Sequence, residues 1–131
     1  MSTSPRRADA PEPAYILVVE DDDDIREAVI DVFADGGYRA RGVENGRAAL
    51  AALRDGSPRP AVILLDLMMP IMDGPTFRAA QLADDELREL PVVVMTASAQ
   101  IHETAAQLGA VSFLKKPVPL SELIAVAKRY L

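Results

Sequence analysis

Short runs of consecutive apolar residues alternate along the chain with longer segments in which apolar residues recur every three or four positions. The runs at residues 15–19, 62–65 and 91–95 have almost no polar interruption, which is typical of strands that helices cover on both faces. Residues 38–43 alternate weakly and predict an outer strand, and residues 111–114 predict a last strand. The pattern therefore predicts five strands.

The segments between and after these strands have the period of helices, with recognisable start and stop residues. The five predicted helices begin at Asp24, after the cap Asn45, after the turn-rich segment 68–75, near Ala99 and near Leu120. Glycines at 36–37, 56 and 109 end the first, second and fourth helices, and the third runs to about Leu82.

Five strands that alternate with five helices predict an α/β fold in which right-handed crossovers build one parallel sheet. The natural arrangement is a doubly wound, flavodoxin-like sheet with strand order 2-1-3-4-5. Such sheets bind ligands at the carboxyl ends of their strands, beside the point where the strand order reverses. The first and third strands flank that point, and acidic residues follow both of them.

The length of 131 residues suits one domain of ordinary size. Residues 1–13 contain Pro, Ser and Arg without a hydrophobic period, and they predict a disordered leader before a single domain at 14–131. No apolar run is long enough to span a bilayer, so we expect a cytoplasmic protein without membrane contact.

Composition narrows the possible chemistry. The chain has no cysteine, which excludes a disulfide framework, a thiolate zinc site and a cysteine nucleophile. Its single histidine, His102, argues against a histidine-built metal site and is expected to be exposed and incidental. A net charge of −6 disfavours nucleic-acid binding, because an acidic surface gains nothing from counterion release.

Side chains able to bind a cation and a phosphate follow four of the predicted strands. Glu20 and Asp21 follow the first strand, Asp66 the third, Thr96 the fourth and Lys116 the fifth. Carboxylates crowded to roughly 4–5 Å repel by about 1–3 kcal/mol per pair, and a divalent cation is the natural remedy. Oxygen ligands without a nearby histidine or cysteine favour Mg²⁺.

The same residues fit phosphoryl chemistry. Mg²⁺ binds phosphoryl oxygens, and an ionised aspartate is a competent nucleophile toward phosphorus. Thr96 is able to hydrogen-bond one phosphoryl oxygen and Lys116 to pair with another, while backbone N–H groups after Asp66 and Thr96 offer further donors. The residues therefore predict an aspartate that accepts a phosphoryl group in a Mg²⁺-dependent reaction.

Four segments, each at a strand end, together resemble the receiver domains of two-component response regulators, the CheY-like family. The segments are ILVVEDDDDIRE, VILLDLMMPIMDG, VVVMTA and GAVSFLKKP, in this order. The resemblance covers the chain from Tyr15 to its C-terminus and implies a receiver domain at residues 14–131.

The resemblance also implies a role for each matching residue of the acidic site. Asp66 matches the phospho-acceptor, and Asp21 matches the direct ligand of the cofactor Mg²⁺. Glu20 matches the acid that holds the ion through water. The backbone carbonyl of Met68 matches the position that completes the metal site.

The matching residues on the fourth and fifth strands belong to the switch. Thr96 matches the switch hydroxyl, Phe113 the switch aromatic, and Lys116 the lysine that pairs with the phosphoryl group. The peptide bond between Lys116 and Pro117 is expected to be cis. Three features depart from the family pattern: the segment 96–116 is short, Val118 stands after Pro117 where Phe is frequent, and Phe113 lacks the hydroxyl of a tyrosine.

The implied function is a single-domain response regulator that takes a phosphoryl group from a sensor histidine kinase or a histidine phosphotransfer protein. Phosphorylation is expected to switch the surface of the fourth helix, fifth strand and fifth helix toward a downstream protein target. The oligomeric state expected is a monomer or a weak phosphorylation-dependent dimer. The domain would catalyse only its own phosphorylation and slow hydrolysis, so we do not expect an enzyme with an external substrate.

Two other functions fit part of the pattern. A phosphorylation-independent scaffold of the same fold would explain the short segment near the fourth helix. A small phosphatase with a covalent aspartyl phosphate would need an acid two residues after the nucleophile, where this chain has Met68. An apolar residue at that position also indicates slow hydrolysis of the phosphorylated form.

Several polar residues near the site have ordinary structural explanations. Asp23 and Asp24 favour helix capping, and Asp22 fits either capping or the site. Asp73 is typical of a turn, and Ser98 is typical of a helix N-cap. These residues are not assigned chemistry.

Overall fold

The computed structural model describes residues 14–131, and the predicted leader at 1–13 lies outside the described residues. Along the described part, five strands alternate with five helices, which confirms the predicted order of elements. The strands are β1 (Tyr15–Val19), β2 (Arg39–Val43), β3 (Val62–Asp66), β4 (Val92–Thr96) and β5 (Ser112–Lys115). The helices are α1 (Asp23–Asp35), α2 (Gly46–Leu53), α3 (Gly74–Leu82), α4 (Ile101–Leu108) and α5 (Leu120–Tyr130).

The strands form one sheet in the order β2-β1-β3-β4-β5, with every neighbouring pair parallel. The predicted doubly wound α/β fold is therefore confirmed. β1 lies between β2 and β3, so the chain reverses its direction of travel across the sheet beside β1 and β3. Because all strands are parallel, their carboxyl ends meet at one edge, and the loops that follow β1, β3, β4 and β5 share that edge.

The core has two layers, one on each face of the sheet. Alternate residues of a strand point to opposite faces, so β1 contributes Leu17 to one layer and Val18 to the other. The first layer packs against α2, α3 and α4 and includes Phe77. The second layer packs against α1 and α5 and includes Phe33. Helices on both faces explain why β1, β3 and β4 read as unbroken apolar runs.

The first three helices begin at side-chain caps. Asp22, Asn45 and Asp73 each accept a hydrogen bond from a backbone N–H in the first turn of α1, α2 and α3. The role left open for Asp22 is therefore capping, whereas Asp23 and Asp24 lie in the first turn, where acids complement the helix dipole. Asp73 is a cap as well as a turn residue.

The start of α4 differs from the prediction. The N-cap position is Gln100, which makes no capping bond with its side chain, so the predicted cap Ser98 is wrong. The Ser98 hydroxyl oxygen instead accepts the N–H of Gln100 at 3.1 Å and closes a turn before the helix. α4 has eight residues and ends at Gly109 in the left-handed region, as predicted for its C-terminus.

No helix within residues 14–131 combines the length and the apolar character needed to cross a bilayer.

Candidate functional site

Five residues at or just after the ends of four strands meet at the carboxyl edge of the sheet. Glu20, Asp66 and Thr96 are almost completely buried, with 1%, 2% and 1% of their surface exposed. Asp21 is exposed, and the side chain of Lys116 retains 20% exposure. The buried polar groups are unusual in an apolar core, and their burial requires partners.

These side chains lie close together because they stand at, or directly after, the ends of neighbouring parallel strands. Asp66 and Thr96 are the last residues of β3 and β4. Lys115, the last residue of β5, is exposed, while Lys116 donates its backbone N–H to the Thr96 carbonyl at 2.9 Å. Adjacent residues of an extended strand point opposite ways, so only Lys116 turns toward the acids. Its peptide bond to Pro117 is cis, as predicted.

Lys116 forms ion pairs with both buried acids. Its Nζ lies 2.5 Å from Glu20 Oε1 and 3.5 Å from Asp66 Oδ2. Burial would lower the pKa of Lys116, but the hydrogen bond to Glu20 and the charges of Asp66 and Glu20 outweigh it and raise that pKa above its ordinary value. Lys116 is therefore a fixed positive charge between two carboxyl groups.

The surroundings of Asp66 disfavour its ionised form. Burial, the hydrogen bond to Glu20 and the charge of Glu20 together raise the pKa of Asp66 to about 7. The ammonium of Lys116 and the N–H of Met68, which donates to Asp66 Oδ1 at 3.2 Å, act in the opposite direction. One lysine thus leaves the negative charge of the cluster incompletely balanced.

The donor set and its spacing fit a small divalent cation. Glu20, Asp21 and Asp66 each offer a carboxylate oxygen, and these atoms lie within 4.8 Å of one another. Within residues 14–131, no backbone N–H donates to the Met68 carbonyl, which leaves that oxygen available to a ligand. Hard oxygen ligands in a mixed buried and exposed cluster suit Mg²⁺, which retains several waters.

Thr96 and Phe113 are the two residues predicted to form the switch. The Thr96 hydroxyl oxygen accepts the N–H of Ser98 at 3.3 Å. Phe113, on β5, is partly buried against the core layer beneath α4. Its ring meets the ring of His102 edge to face, with centroids 4.3 Å apart and an interplanar angle of 65°.

His102 makes one contact that was not predicted. It is exposed, as predicted, and its ring packs against Phe113, while its lack of a chemical role stays a prediction. No pattern in the sequence indicates this pair, since α4 and β5 meet only through the tertiary fold.

Other contributions to the site were also missed. Arg26 of α1 donates to the backbone carbonyl of Glu20 at 2.9 Å. Gly74, interpreted as part of a turn, packs so closely that an added Cβ would lie 2.8 Å from Leu67 Cα and 3.0 Å from the Asp66 carbonyl oxygen. The motif DG is the signal that could have identified this close approach, because only glycine fits it.

Comparisons with known proteins agree on one family. Residues 16–128 match the family described as the response regulator receiver domain. The response regulator MprA of Mycolicibacterium vanbaalenii is 38% identical over 116 residues, which cover 86% of this chain and 48% of MprA. The polar-differentiation response regulator DivK of Brucella anthropi is 31% identical, and the match covers 91% of this chain and 97% of DivK.

The solved structures show the same similarity. The chemotaxis protein CheY4 of Vibrio cholerae has a TM-score of 0.80 and 30% identity, covering 92% of this chain and all of CheY4. A regulator from Chloroflexus aurantiacus has the same TM-score with 28% identity. The chain spans about half the length of MprA and a quarter of the Escherichia coli protein AtoC.

Proposed function

The chain belongs to the response regulator receiver domain family, and from this premise we propose that Asp66 accepts a phosphoryl group in a Mg²⁺-dependent reaction. The donor is a sensor histidine kinase or a histidine phosphotransfer protein. The observation that carries the proposal is the environment of Asp66, a buried carboxyl that touches Lys116 and shares its cluster with Glu20 and Asp21.

The proposed reaction follows from the positions of the residues around Asp66. One carboxylate oxygen of Asp66 forms a bond to phosphorus while the bond from phosphorus to the donor nitrogen breaks, and the electron pair leaves with the donor imidazole. Lys116 lowers the pKa of Asp66 and so favours the ionised carboxylate, and its ammonium then pairs with a phosphoryl oxygen. Mg²⁺, when bound, neutralises the charge on the phosphoryl oxygens. The N–H of Met68 keeps the carboxylate in its orientation.

Thr96 and Phe113 would transmit the phosphorylation of Asp66 to the surface of the domain. We expect the Thr96 hydroxyl to donate to a phosphoryl oxygen, and Phe113 to turn inward into the space that Thr96 leaves. The surface of α4, β5 and α5 would then prefer a downstream protein target. This is a population shift, and it requires only that the phosphoryl group favours one of two existing arrangements.

The donor reaches Asp66 across an apolar surface. The open cleft above the acids includes Ile25 and Met68, of which 39% and 74% are exposed. A neighbouring groove between α1 and the loop after β5 is lined mainly by apolar side chains, including Val29, Pro117 and Leu120. These surfaces support docking of a helical donor protein. The domain itself would act on no external substrate.

Intact-mass spectrometry tests the proposal. Acetyl phosphate with Mg²⁺ should add one phosphoryl group to the protein, and a chelator or Asp66→Asn should abolish the addition. Asp73→Asn is a matched control, because Asp73 lies in the loop after β3 but caps α3 instead of facing the cluster. Undiminished addition in Asp66→Asn would overturn the assignment.

The scaffold alternative has its own signature. A phosphorylation-independent scaffold would show no Mg²⁺-dependent spectral change with beryllofluoride, which mimics a phosphoryl group on aspartate. The proposed acceptor should show changes at Thr96, Phe113 and α4. The single-domain organisation stays a prediction. The match covers nearly the whole length of DivK but only about half of MprA, so relatives of both kinds exist.

A further inference from the structure

Arg26 lies in the first turn and a half of α1, directly behind the loop that carries Glu20 and Asp21. Its Nη1 donates to the Glu20 carbonyl at 2.9 Å, and its backbone N–H donates to the Asp22 carbonyl at 2.9 Å. Its Nη2 pairs with Asp23 Oδ1. Arg26 therefore holds the chain on both sides of Asp21, and its side chain is only 17% exposed.

The charge of Arg26 is unfavourably placed with respect to both the helix and the proposed metal site. A cation near the N-terminus of a helix opposes the helix dipole. A cation beside a Mg²⁺ site also repels the ion. The compensation visible in the structure is the bond to the Glu20 carbonyl and the exposed pair with Asp23.

Gly42 of β2 provides a separate observation. A Cβ at this position would lie 2.9 Å from Arg26 Cδ, 3.0 Å from Arg26 Cγ and 2.6 Å from Ile30 Cδ1. The stem of Arg26 therefore crosses the sheet edge where β2 has no side chain. A larger residue at position 42 would therefore press on the stem of Arg26 and on Ile30, and we expect the shift of the stem to disturb the bond from the guanidinium to Glu20.

The backbone of Glu20 is fixed from two directions. Its N–H donates to the Val43 carbonyl at 3.1 Å, and its carbonyl accepts from Arg26. The peptide between Glu20 and Asp21 sets the directions of both side chains toward Asp66. Without Arg26, this peptide would have a free carbonyl and one less restraint.

We propose that Arg26 is a positioning residue for the metal site: it orients the carboxylates of Glu20 and Asp21 by holding the peptide between them. The inference rests on the proposed Mg²⁺-dependent function. It goes beyond that function by assigning part of the ion affinity to a cation that does not touch the ion.

Two effects of Arg26 on ion affinity have opposite signs, which makes the proposal testable. If the guanidinium acted only through its charge, its removal would strengthen Mg²⁺ binding. If it acts by positioning, its removal weakens binding, as loss of supporting residues does at other metal sites, by roughly tenfold. We expect weakening, because the restraint on the two ligands exceeds the screened repulsion at this exposed edge.

The experiment compares Mg²⁺ dissociation constants by calorimetry or ¹⁵N NMR titration, since the chain has no tryptophan to report binding. Arg26→Met removes the charge and keeps the stem, and it should weaken binding roughly tenfold. Arg26→Lys keeps the charge but loses the planar guanidinium with its two separate N–H donors, and it should weaken binding by about threefold. Gly42→Ala leaves every charge in place and should weaken binding as Arg26→Met does.

Two variants serve as controls. Asp23→Asn removes the exposed partner of Arg26 and leaves the bond to Glu20, so its Mg²⁺ affinity should change less than twofold. Arg54→Met removes a guanidinium that pairs with Asp84 instead, and it should behave like the wild type. Far-ultraviolet circular dichroism checks that each variant is folded.

A second readout needs no metal. Amide hydrogen exchange should be faster in Arg26→Lys than in the wild type at Glu20 and Asp22, whose N–H groups donate to the Val43 carbonyl and to Glu20 Oε2, while exchange in the β1 core stays unchanged. Unaltered loop exchange in that variant, or tighter Mg²⁺ binding by Arg26→Met, would overturn the positioning role. Failure of the wild type to bind Mg²⁺ would instead overturn the proposed function, so the two failures are distinguishable.

Discussion

Asp66 combines two properties that ordinarily exclude each other, burial and the negative charge that the proposed nucleophilic attack requires. Burial and the neighbouring Glu20 raise its pKa to about 7, and Lys116 alone does not restore the ordinary value. The carboxyl is therefore destabilising in the metal-free protein. The same feature makes it responsive, because any added positive charge shifts the balance toward the ionised form.

The raised pKa of Asp66 predicts a pH-dependent stability. The unfolded chain releases this proton near pH 4, whereas the folded chain keeps it to about pH 7, so stability contributed by Asp66 is present below pH 4 and lost as the pH rises through 7. Without Mg²⁺, the free energy of unfolding of Asp66→Asn relative to that of the wild type should therefore be higher at pH 8 than at pH 5. The expected increase is roughly 2–4 kcal/mol. Urea unfolding at the two pH values measures this difference.

Asp73→Asn is the matched control for this measurement. The hydrogen bond from Thr76 lowers the pKa of Asp73, so Asp73 is ionised in both states above pH 5. Its stability difference from the wild type should be constant between pH 5 and pH 8. A constant difference for Asp66→Asn as well would contradict the environment described for Asp66.

At the scale of elements, Arg78 and His102 make specific contacts at the two ends of α4, in addition to the apolar packing of Ile101 into the core. Arg78 of α3 is buried, and its guanidinium donates to the carbonyls of Leu108 and Gly109 and to Gln81 Oε1. At its other end, α4 packs His102 against Phe113. The C-terminus of α4 is thus anchored to α3, while its first turn contacts the switch aromatic.

The Arg78 anchor should contribute strongly to stability. Arg78→Met leaves two carbonyls at the end of α4 without their donor, so we expect a loss of about 2–3 kcal/mol in urea unfolding. Hydrogen exchange should also accelerate in the last turn of α4. Arg88→Met is the comparison, because the exposed pair of Arg88 with Asp85 should be worth less than about 0.5 kcal/mol. Equal losses in both variants would contradict the anchor.

The His102 contact should oppose the inward turn of Phe113. Removing it in His102→Ala should favour the active arrangement and raise the apparent affinity for beryllofluoride by about 2- to 10-fold, which corresponds to an aromatic pair of about 0.5–1.5 kcal/mol. Gln107→Ala, an exposed neutral position on the same helix, should leave that affinity unchanged. Unchanged or lower affinity in His102→Ala would contradict this role.

At the scale of the whole molecule, the parallel sheet gathers the ends of β1, β3, β4 and β5 at one edge. Helices on both faces leave that edge as the place where polar groups from distant parts of the chain meet. The apolar layers beneath it hold together the strands that carry the carboxylates. The fold thus supplies the positioning that the proposed phosphoryl transfer requires.

The sequence predicted this architecture because buried parallel strands leave an unmistakable apolar pattern, and acids at their ends are read directly. It did not predict Arg26, Arg78 or the pair of His102 and Phe113. Each of these contacts depends on where a long side chain crosses to another element, which periodicity does not encode. The left-handed backbone of Ile71 in the loop after β3 was missed for a similar reason, since isoleucine seldom adopts it.

The most direct test of the account is to locate the phosphoryl group on the chain. After reaction with acetyl phosphate and Mg²⁺, sodium borohydride reduces an aspartyl phosphate to homoserine, and peptide mass spectrometry identifies the converted residue. We expect homoserine at position 66 alone, and none when Mg²⁺ is chelated. Conversion at Glu20 or Asp21 instead, or no conversion at any carboxylate, would contradict the proposed role of Asp66.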